Sequence, residues 1–168
     1  LAPTTSTTVM LALSDALAIA VMNAREFTKA QYALYHPSGS LGRRLLMKVR
    51  DAMRTGDDLA LVPPDCPFLE ILSAITKAGA GAALVVDGAA SLLGIIADGD
   101  IRRRLVADSE GTLKATARDL MNPNPRTITP DMPAIEALEL VEGIPQKIGE
   151  MPVVDEGKGV GLVLLKDW

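Results

Sequence analysis

An α/β fold of the α+β kind, made of two similar β-α-β-β-α units, is predicted by three observations. Segments of the chain recur at offsets of 68, 66, 68 and 67 residues. Each half combines short apolar runs, typical of strands, with one apolar pattern of period 3.6, typical of a helix. The composition, 48% hydrophobic and 23% charged, is that of a folded globular protein. Because a unit of about 60 residues is too small for a full core, we expect the two units to pack sheet to sheet with pseudo-two-fold symmetry.

The repeat is carried by four segments that recur in the same order. They are VRDAM (49–53) with ARDLM (117–121), PDCPFLE (64–70) with PDMPAIE (130–136), VVD (85–87) with VVD (153–155), and GIIADGD (94–100) with GLVLLKD (161–167). Four matches at nearly one offset are hard to obtain by chance. They predict a duplicated structural unit.

The first unit reads as strand, helix, two strands and helix. A strand at Ala60–Val62 enters a Pro-Asp turn, and Leu69, Leu72 and Ile75 then mark an amphipathic helix. The remaining predicted elements are a hairpin of Ala83–Val86 with Leu92–Ala97, a basic helix Ile101–Ala107, and a linker Ser109–Thr116.

The second unit follows the same order without its closing helix. Its predicted elements are a strand Thr127–Ile128, a helix marked by Ile135, Leu138 and Val141, and a hairpin of Pro152–Val154 with Gly161–Leu165.

A stretch rich in hydroxyl side chains, Thr4–Thr8, precedes an apolar run and predicts a capped helix from about Thr7 to Glu26. The run is shorter than a membrane span, and Asp15 lies in its middle. Its apolar residues point nearly all round the helix, so it needs burial on most sides. We therefore expect the sequence to be a fragment whose helix is covered by a missing N-terminal domain or by a partner chain.

Composition excludes several classes of function. The net charge of −4 gives no overall attraction to nucleic acid or an anionic membrane, and 3% aromatic residues leave few stacking platforms. The only cysteine, Cys66, rules out an internal disulfide framework and a Cys-rich zinc site, and we expect it to be an apolar filler. No signal peptide is evident, so a cytoplasmic location is expected.

Few residues offer chemistry of their own. The single histidine, His36, precedes a Gly-rich turn, where it either packs or caps the loop or transfers protons near neutral pH. Asp98 and Asp100 are two carboxylates without a third nearby ligand, which is a poor metal site, so no metal is expected. The run Arg102–Arg104 is either a phosphate clamp or a solvated helix face.

The repeated Asp-x-Met start, the Val-Val-Asp strand and the Gly-apolar-apolar end before Asp resemble a pair of CBS domains, a Bateman module, over residues 48–168. The resemblance divides this region into 48–115, the first unit with its linker, and 116–168, the second unit. Residues 1–47, with LAPTTSTT, SDALA and HPSGSLGRR, resemble the C-terminal end of a sugar isomerase (SIS) domain. Together they are similar to D-arabinose-5-phosphate isomerases of the KpsF/GutQ type.

That resemblance implies a parent enzyme that interconverts D-ribulose 5-phosphate and D-arabinose 5-phosphate, in the pathway to Kdo and lipopolysaccharide. It implies a catalytic role for His36, and substrate contacts from Thr5, Ser6 and Thr7 near a helix N-terminus. The family's other catalytic groups and its phosphate loop fall outside this sequence. We therefore expect the chain to be inactive by itself.

CBS pairs hold adenine nucleotides between their units, with an aspartate on the ribose hydroxyls. Asp100 and Asp167 match that aspartate, and Arg102 lies near a phosphate position. Ala97 and Leu164 stand where the motif has Thr or Ser, so neither supplies a hydroxyl. The missing hydroxyls weaken the expectation of ordinary adenine-nucleotide binding. An adenine nucleotide and, from the pathway, a CMP-sugar such as CMP-Kdo are the effectors that the resemblance allows, and no required cofactor is implied.

The resemblance also implies a homodimer through the CBS pair and a tetrameric parent. The alternative function is a purely structural dimerisation module without a small ligand. A CBS pair of a nucleotide dehydrogenase, a channel or a transcription regulator is disfavoured by the His36–Arg44 stretch and by the lack of a helix-turn-helix or membrane span.

Overall fold

The computed structural model describes residues 2–28, 31–32, 47–143 and 148–165. The chain divides into two compact units, an N-terminal unit Leu1–Leu46 and a C-terminal unit Met47–Trp168, and each is described by itself.

The N-terminal unit contains helix α1, Thr4–Ala24, which begins and ends earlier than the predicted Thr7–Glu26. No side chain caps its first turn. The Thr7 and Thr8 hydroxyls donate instead to the carbonyl oxygens of Pro3 and Thr4, at 2.8 and 2.9 Å. The predicted N-capping is therefore wrong, because these residues lie inside the helix, where a hydroxyl bonds to the preceding turn.

The apolar side chains of α1 are exposed, and no residue of the helix is buried. They lie on every side of the helix, as their distribution in the sequence predicts. Helix α1 is 21 residues long and by length and hydropathy satisfies the criterion for a membrane-spanning helix, although it includes Asp15, so the expectation that this segment is too short for a span is wrong. Core helices of soluble proteins and signal sequences satisfy the same criterion.

The first repeat of the C-terminal unit confirms the predicted order of elements. It contains β1 (Ala60–Val62), α2 (Phe68–Ala78), β2 (Ala82–Val86), β3 (Leu92–Ala97) and α3 (Asp98–Ala107). Strand β1 pairs in parallel with β2, and β2 pairs in antiparallel with β3, in the order β1-β2-β3. A parallel pair needs a crossover, which α2 provides.

Two details of the first repeat differ from the sequence prediction. Leu69 was expected on the apolar face of α2, but it is 67% exposed, and the buried face consists of Phe68, Ile71, Ile75 and Ala78. The predicted linker contains helix α4, Ser109–Lys114. Asp108 caps α4 by accepting a hydrogen bond from the Gly111 amide at 2.9 Å, a local signal that the linker interpretation passed over.

The second repeat contains α5 (Ala117–Leu120), α6 (Ala134–Glu142), β4 (Glu150–Asp155) and the antiparallel β5 (Lys158–Leu164). The predicted strand Thr127–Ile128 is reduced to a single parallel bridge between Ile128 and Val153. Each repeat begins with a short helix. In the first repeat this is a 3-10 helix at Val49–Asp51, and in the second it is α5.

Each repeat contributes its leading segment to the other repeat. Arg54 exchanges two backbone hydrogen bonds with Leu162 of β5, at 2.8 and 3.1 Å, and Asn122 does the same with Ile95 of β3, at 2.8 and 3.1 Å. Leu162 lies in the core cluster of the first repeat. The two repeats are therefore packed by pseudo-two-fold symmetry, as predicted, and they share their cores.

The repeated Asp-x-Met start has a structural cause. The Asp51 carboxylate accepts a hydrogen bond from the Lys48 amide at 2.9 Å, and Asp119 accepts one from the Thr116 amide at 2.9 Å. Thr116 and Asp119 form a capping box, whereas at Lys48 only the Asp51 half of that arrangement exists, because an ammonium cannot accept a hydrogen bond. The Thr116 amide, and then its hydroxyl, lower the pKa of Asp119 below its usual 3.8.

Asp119 therefore makes stability depend on acid pH. Because its pKa is lower in the folded chain, the unfolded chain binds more protons, so the stabilisation is complete above 3.8 and is lost as the pH falls through the folded-state value. We expect Asp119→Asn to flatten the decline of the melting temperature between about pH 4 and about pH 2, measured by circular dichroism. Asp57→Asn, at an exposed aspartate outside any capping box, is the control and should keep the wild-type slope.

Candidate functional site

A cleft of about 390 Å³ lies between helix α3 of the first repeat and the start of the second repeat. It is lined by Asp100, Arg103, Arg104, Ala107, Leu120, Met121 and Asn122. Charged groups form one wall and apolar groups much of the other. The cleft can therefore hold a ligand with both an ionic and an apolar part.

The position of α3 follows from the end of β3. Ala97 pairs with Ala82 of β2, and the Asp98 amide donates to the Gly81 carbonyl at 2.9 Å, so α3 begins without a loop. Residues 100, 103, 104 and 107 then fall on one helical face, at spacings of three, four and seven. That face forms the charged wall of the cleft.

The opposite wall is held against β3 by backbone hydrogen bonds. Asn122 bonds to Ile95 in both directions, which brings Met121 and Asn122 close to the strand. Gly94 makes this approach possible, because a Cβ there would lie 2.6 Å from the Asn122 carbonyl oxygen and 2.9 Å from the Met121 Sδ. Gly161 has the same role against Met53.

The cleft carries a net positive charge. The Arg103 guanidinium donates to the Asp100 carboxylate at 2.5 Å, while Arg104 donates to the Asp119 carbonyl at 2.8 Å. Two arginines against one aspartate leave one positive charge among the lining residues. The Arg103 side chain is 76% exposed, so its ion pair is weak and Arg103 can turn toward a ligand.

The structure brings only some of the predicted ligand-binding residues to this cleft. Asp100 lines it. Arg102 is exposed on α3 outside the shared face, and Arg103 and Arg104 line the cleft instead. The spacing from Asp100 could have shown this. Residues three and four positions along a helix share a face with Asp100, whereas Arg102, two positions along, does not.

The other predicted residues lie elsewhere. Ala97 ends β3 half-buried, and Leu164 is buried at the end of β5, so both are strand residues without a hydroxyl to offer. Thr5, Ser6 and Thr7 are exposed in the first turns of α1. His36 and Asp167 lie outside the described residues.

A smaller cleft of about 280 Å³ lies beside α2 and includes Gly79, Gly81 and Asp98. Arg54 reaches this region and donates to the Gly79 carbonyl at 2.9 Å. Asp98 therefore lines a different cleft from Asp100, and neither of these two clefts is lined by both carboxylates.

Two further chemistries have no support in the described part of the chain. Within residues 2–28, 31–32, 47–143 and 148–165, no three His, Cys, Asp or Glu side chains come together as metal ligands. Cys66 is buried, and burial followed by the charges of Glu70 and Asp65 raises the pKa of its thiol. It is therefore a neutral thiol packed in the core of the first repeat.

The sequence-family model for the CBS domain matches residues 49–107 and 117–168, which together make up more than half of the chain. The chain belongs to the CBS domain family. Its matched segments coincide with the two repeats, and the unmatched residues between them form helix α4.

Two curated relatives are similar to nearly the whole chain. One is a probable arabinose 5-phosphate isomerase of Haemophilus influenzae, 46% identical over 97% of this chain and 47% of the relative. Another is the arabinose 5-phosphate isomerase KdsD of Francisella tularensis, 40% identical over 99% of this chain and 50% of the relative. The chain thus spans about half the length of these relatives.

Among solved structures, the CBS-pair protein CBSX2 in complex with AMP aligns with a TM-score of 0.59 and 25% identity. The alignment covers 71% of this chain and 91% of that chain. The likeness confirms the tandem CBS fold.

Proposed function

We propose that this chain is the regulatory and assembly part of an isomerase that interconverts D-ribulose 5-phosphate and D-arabinose 5-phosphate in the cytoplasm. One observation carries the proposal. Nearly the whole chain, α1 included, is similar to a segment that makes up about half the length of each of the two arabinose 5-phosphate isomerases. In this proposal the exposed apolar side chains of α1 pack inside an isomerase domain completed by the other half of the protein.

The chain is not an isomerase by itself in this proposal. Aldose–ketose exchange moves a proton between adjacent carbons, and it needs a base, a group that opens the sugar and a phosphate site. Of these the chain offers His36 and the hydroxyls of Thr5, Ser6 and Thr7. The 168-residue chain should give no arabinose 5-phosphate from ribulose 5-phosphate. Conversion above the uncatalysed rate would contradict the proposal that the chain lacks isomerase activity by itself.

The cleft lined by Asp100 is the proposed effector site, and AMP is the first ligand to test. A carboxylate accepts both hydroxyls of a ribose diol, while a guanidinium suits a phosphate. In the structure Asp100 and Arg103 pair with each other. A nucleotide would separate them, with the diol on Asp100 and the phosphate on Arg103, and a CMP-sugar carries the same two groups.

Thermal shift across a nucleotide panel tests this site. A ligand at about 100 times its Kd stabilises the folded chain by about 2.7 kcal/mol, which is a shift of several degrees. We expect AMP, ADP, ATP, CMP or CMP-Kdo to give such a shift in the wild-type chain. Arg103→Ala should weaken the binding about tenfold, since one charge-assisted hydrogen bond is lost.

Arg102→Ala is the matched control, because it removes an exposed arginine of the same helix that does not line the cleft. Equal losses from the two variants would show that overall charge, and not this cleft, attracts the ligand.

The second candidate function is a structural dimerisation module. It is favoured by the exposed apolar side chains of helices α2, α3 and α4, of which α4 packs against both α2 and α3. These side chains are Leu69, Val106 and Leu113, and Val106 is 90% exposed. A homodimer through this helical face, within a tetrameric parent, would cover them. A dimer mass in light scattering, together with no shift from any nucleotide, would favour this function over the effector site.

A further inference from the structure

The five residues by which the C-terminal unit begins, Met47–Asp51, are attached to the second repeat although the first repeat follows them in the chain. Three backbone hydrogen bonds make the attachment. They run from the Val49 amide to the Met132 carbonyl at 2.9 Å, from the Arg50 amide to the Pro130 carbonyl at 3.0 Å, and from the Ala134 amide to the Met47 carbonyl at 2.8 Å.

The side chain of Val49 is a core residue of the second repeat. It is fully buried, and it belongs to the cluster formed by Ile128, Ala137, Met151, Val153 and Val163. The path of the chain therefore passes through the core of the second repeat before it reaches β1 of the first.

Two ion pairs join this segment to the same repeat. Lys48 and Arg50 flank the buried Val49, and both reach the Asp131 carboxylate, at 2.8 and 2.5 Å. Asp131 lies in the turn that supplies the carbonyl groups of Pro130 and Met132. We call Lys48, Arg50 and Asp131 the Asp131 clamp.

The equivalent joint between the repeats has the same backbone bonds but no clamp. The Ala117 amide donates to the Cys66 carbonyl at 2.9 Å, and the Arg118 amide donates to the Pro64 carbonyl at 2.8 Å. Asp65 stands where the second repeat has Asp131. Among the residues that the structure describes, Asp65 and Arg118 form no ion pair.

We propose that Met47–Asp51 is a tether that the second repeat holds through the Asp131 clamp, and that this joint opens independently of the joint at Ala115–Arg118. The two repeats then differ in role although they share a fold. The second repeat holds the chain that comes from the N-terminal unit through two ion pairs. At the joint with the first repeat, the described side chains contribute the Arg104 hydrogen bond to the Asp119 carbonyl and no ion pair with Asp65 or Arg118.

This inference rests on the proposed function only in one respect, namely the role of the N-terminal unit that precedes the tether in the chain. If the N-terminal unit is part of an isomerase domain, the second repeat holds the segment by which the chain enters the CBS pair. The opening of the joint is measured without a ligand and without activity, so its failure is distinct from failure of the effector site.

Hydrogen exchange of single amides, followed by NMR on the whole chain, tests the clamp. In Asp131→Asn the Val49 and Arg50 amides should exchange about fivefold faster, as expected for the loss of two exposed ion pairs. The Ala117 and Arg118 amides should keep their wild-type rates. Asp65→Asn is the matched control at the equivalent turn and should change neither pair of amides.

Unchanged exchange at Val49 and Arg50 in Asp131→Asn overturns the proposal, as does equal loosening by Asp65→Asn. If Asp131→Asn loosens the whole chain, the wild-type protein at high salt decides the question, because about 1 M NaCl screens exposed ion pairs. Faster exchange confined to Val49 and Arg50 supports the clamp, and no difference from low salt overturns it.

Discussion

Replacing Gly94 with alanine should lower the free energy of unfolding by about 1–3 kcal/mol. The added methyl group would lie 2.6 Å from the backbone oxygen of Asn122, and non-bonded approaches of a Cβ under 3.0 Å are essentially never found. Backbone cannot turn aside as a flexible side chain does, so the Met121–Asn122 segment must move away from β3. Because that segment forms one wall of the cleft, the variant should also lose ligand binding.

Gly88→Ala is the control, since a methyl group there meets no atom within 4 Å. Urea unfolding of both variants measures the difference. A Gly94→Ala protein as stable as Gly88→Ala would contradict the close approach of the second repeat to β3.

Leu162→Ala should lower the free energy of unfolding by about 2–5 kcal/mol, the range for a leucine removed from a packed core. Leu162 is fully buried, and it belongs to the second repeat but packs in the core cluster of the first. The loss should therefore destabilise both repeats together, with one cooperative transition in fluorescence and circular dichroism.

Leu113→Ala is the matched control on an exposed leucine and should change stability by less than about 0.5 kcal/mol. Two separate transitions in Leu162→Ala would show that each repeat folds by itself, against the shared core.

The fold could be predicted from the sequence because its signals are duplicated. The hairpin of the first repeat was predicted within one residue, since Val85–Asp87 and Gly94–Asp100 each recur one repeat later. The exchange of leading segments could not be predicted. The bond between Arg54 and Leu162 joins residues far apart in the chain, and neither residue type indicates the other.

The errors have local causes. The apolar face of α2 was placed on Leu69, Leu72 and Ile75 because their spacing fits a helix, whereas Phe68 and Ile71, each one residue earlier, occupy the buried positions. Asp100, a predicted ligand-binding residue, lines the cleft, but of the arginine run the prediction selected Arg102, which does not line it. In a run of three arginines, only the helical spacing from Asp100 separates Arg103 and Arg104 from Arg102.

The proposed effector site is the cleft between the repeats, with Asp100 as the residue that binds the ribose. Calorimetric titration of AMP into the wild-type chain and into Asp100→Ala tests it most directly. We expect saturable heat in the wild type and its loss in the variant, because the ribose diol then has no acceptor. Equal heats from the two proteins would contradict the placement of the ligand, and no heat from either protein with AMP or with CMP-Kdo would contradict the effector site itself.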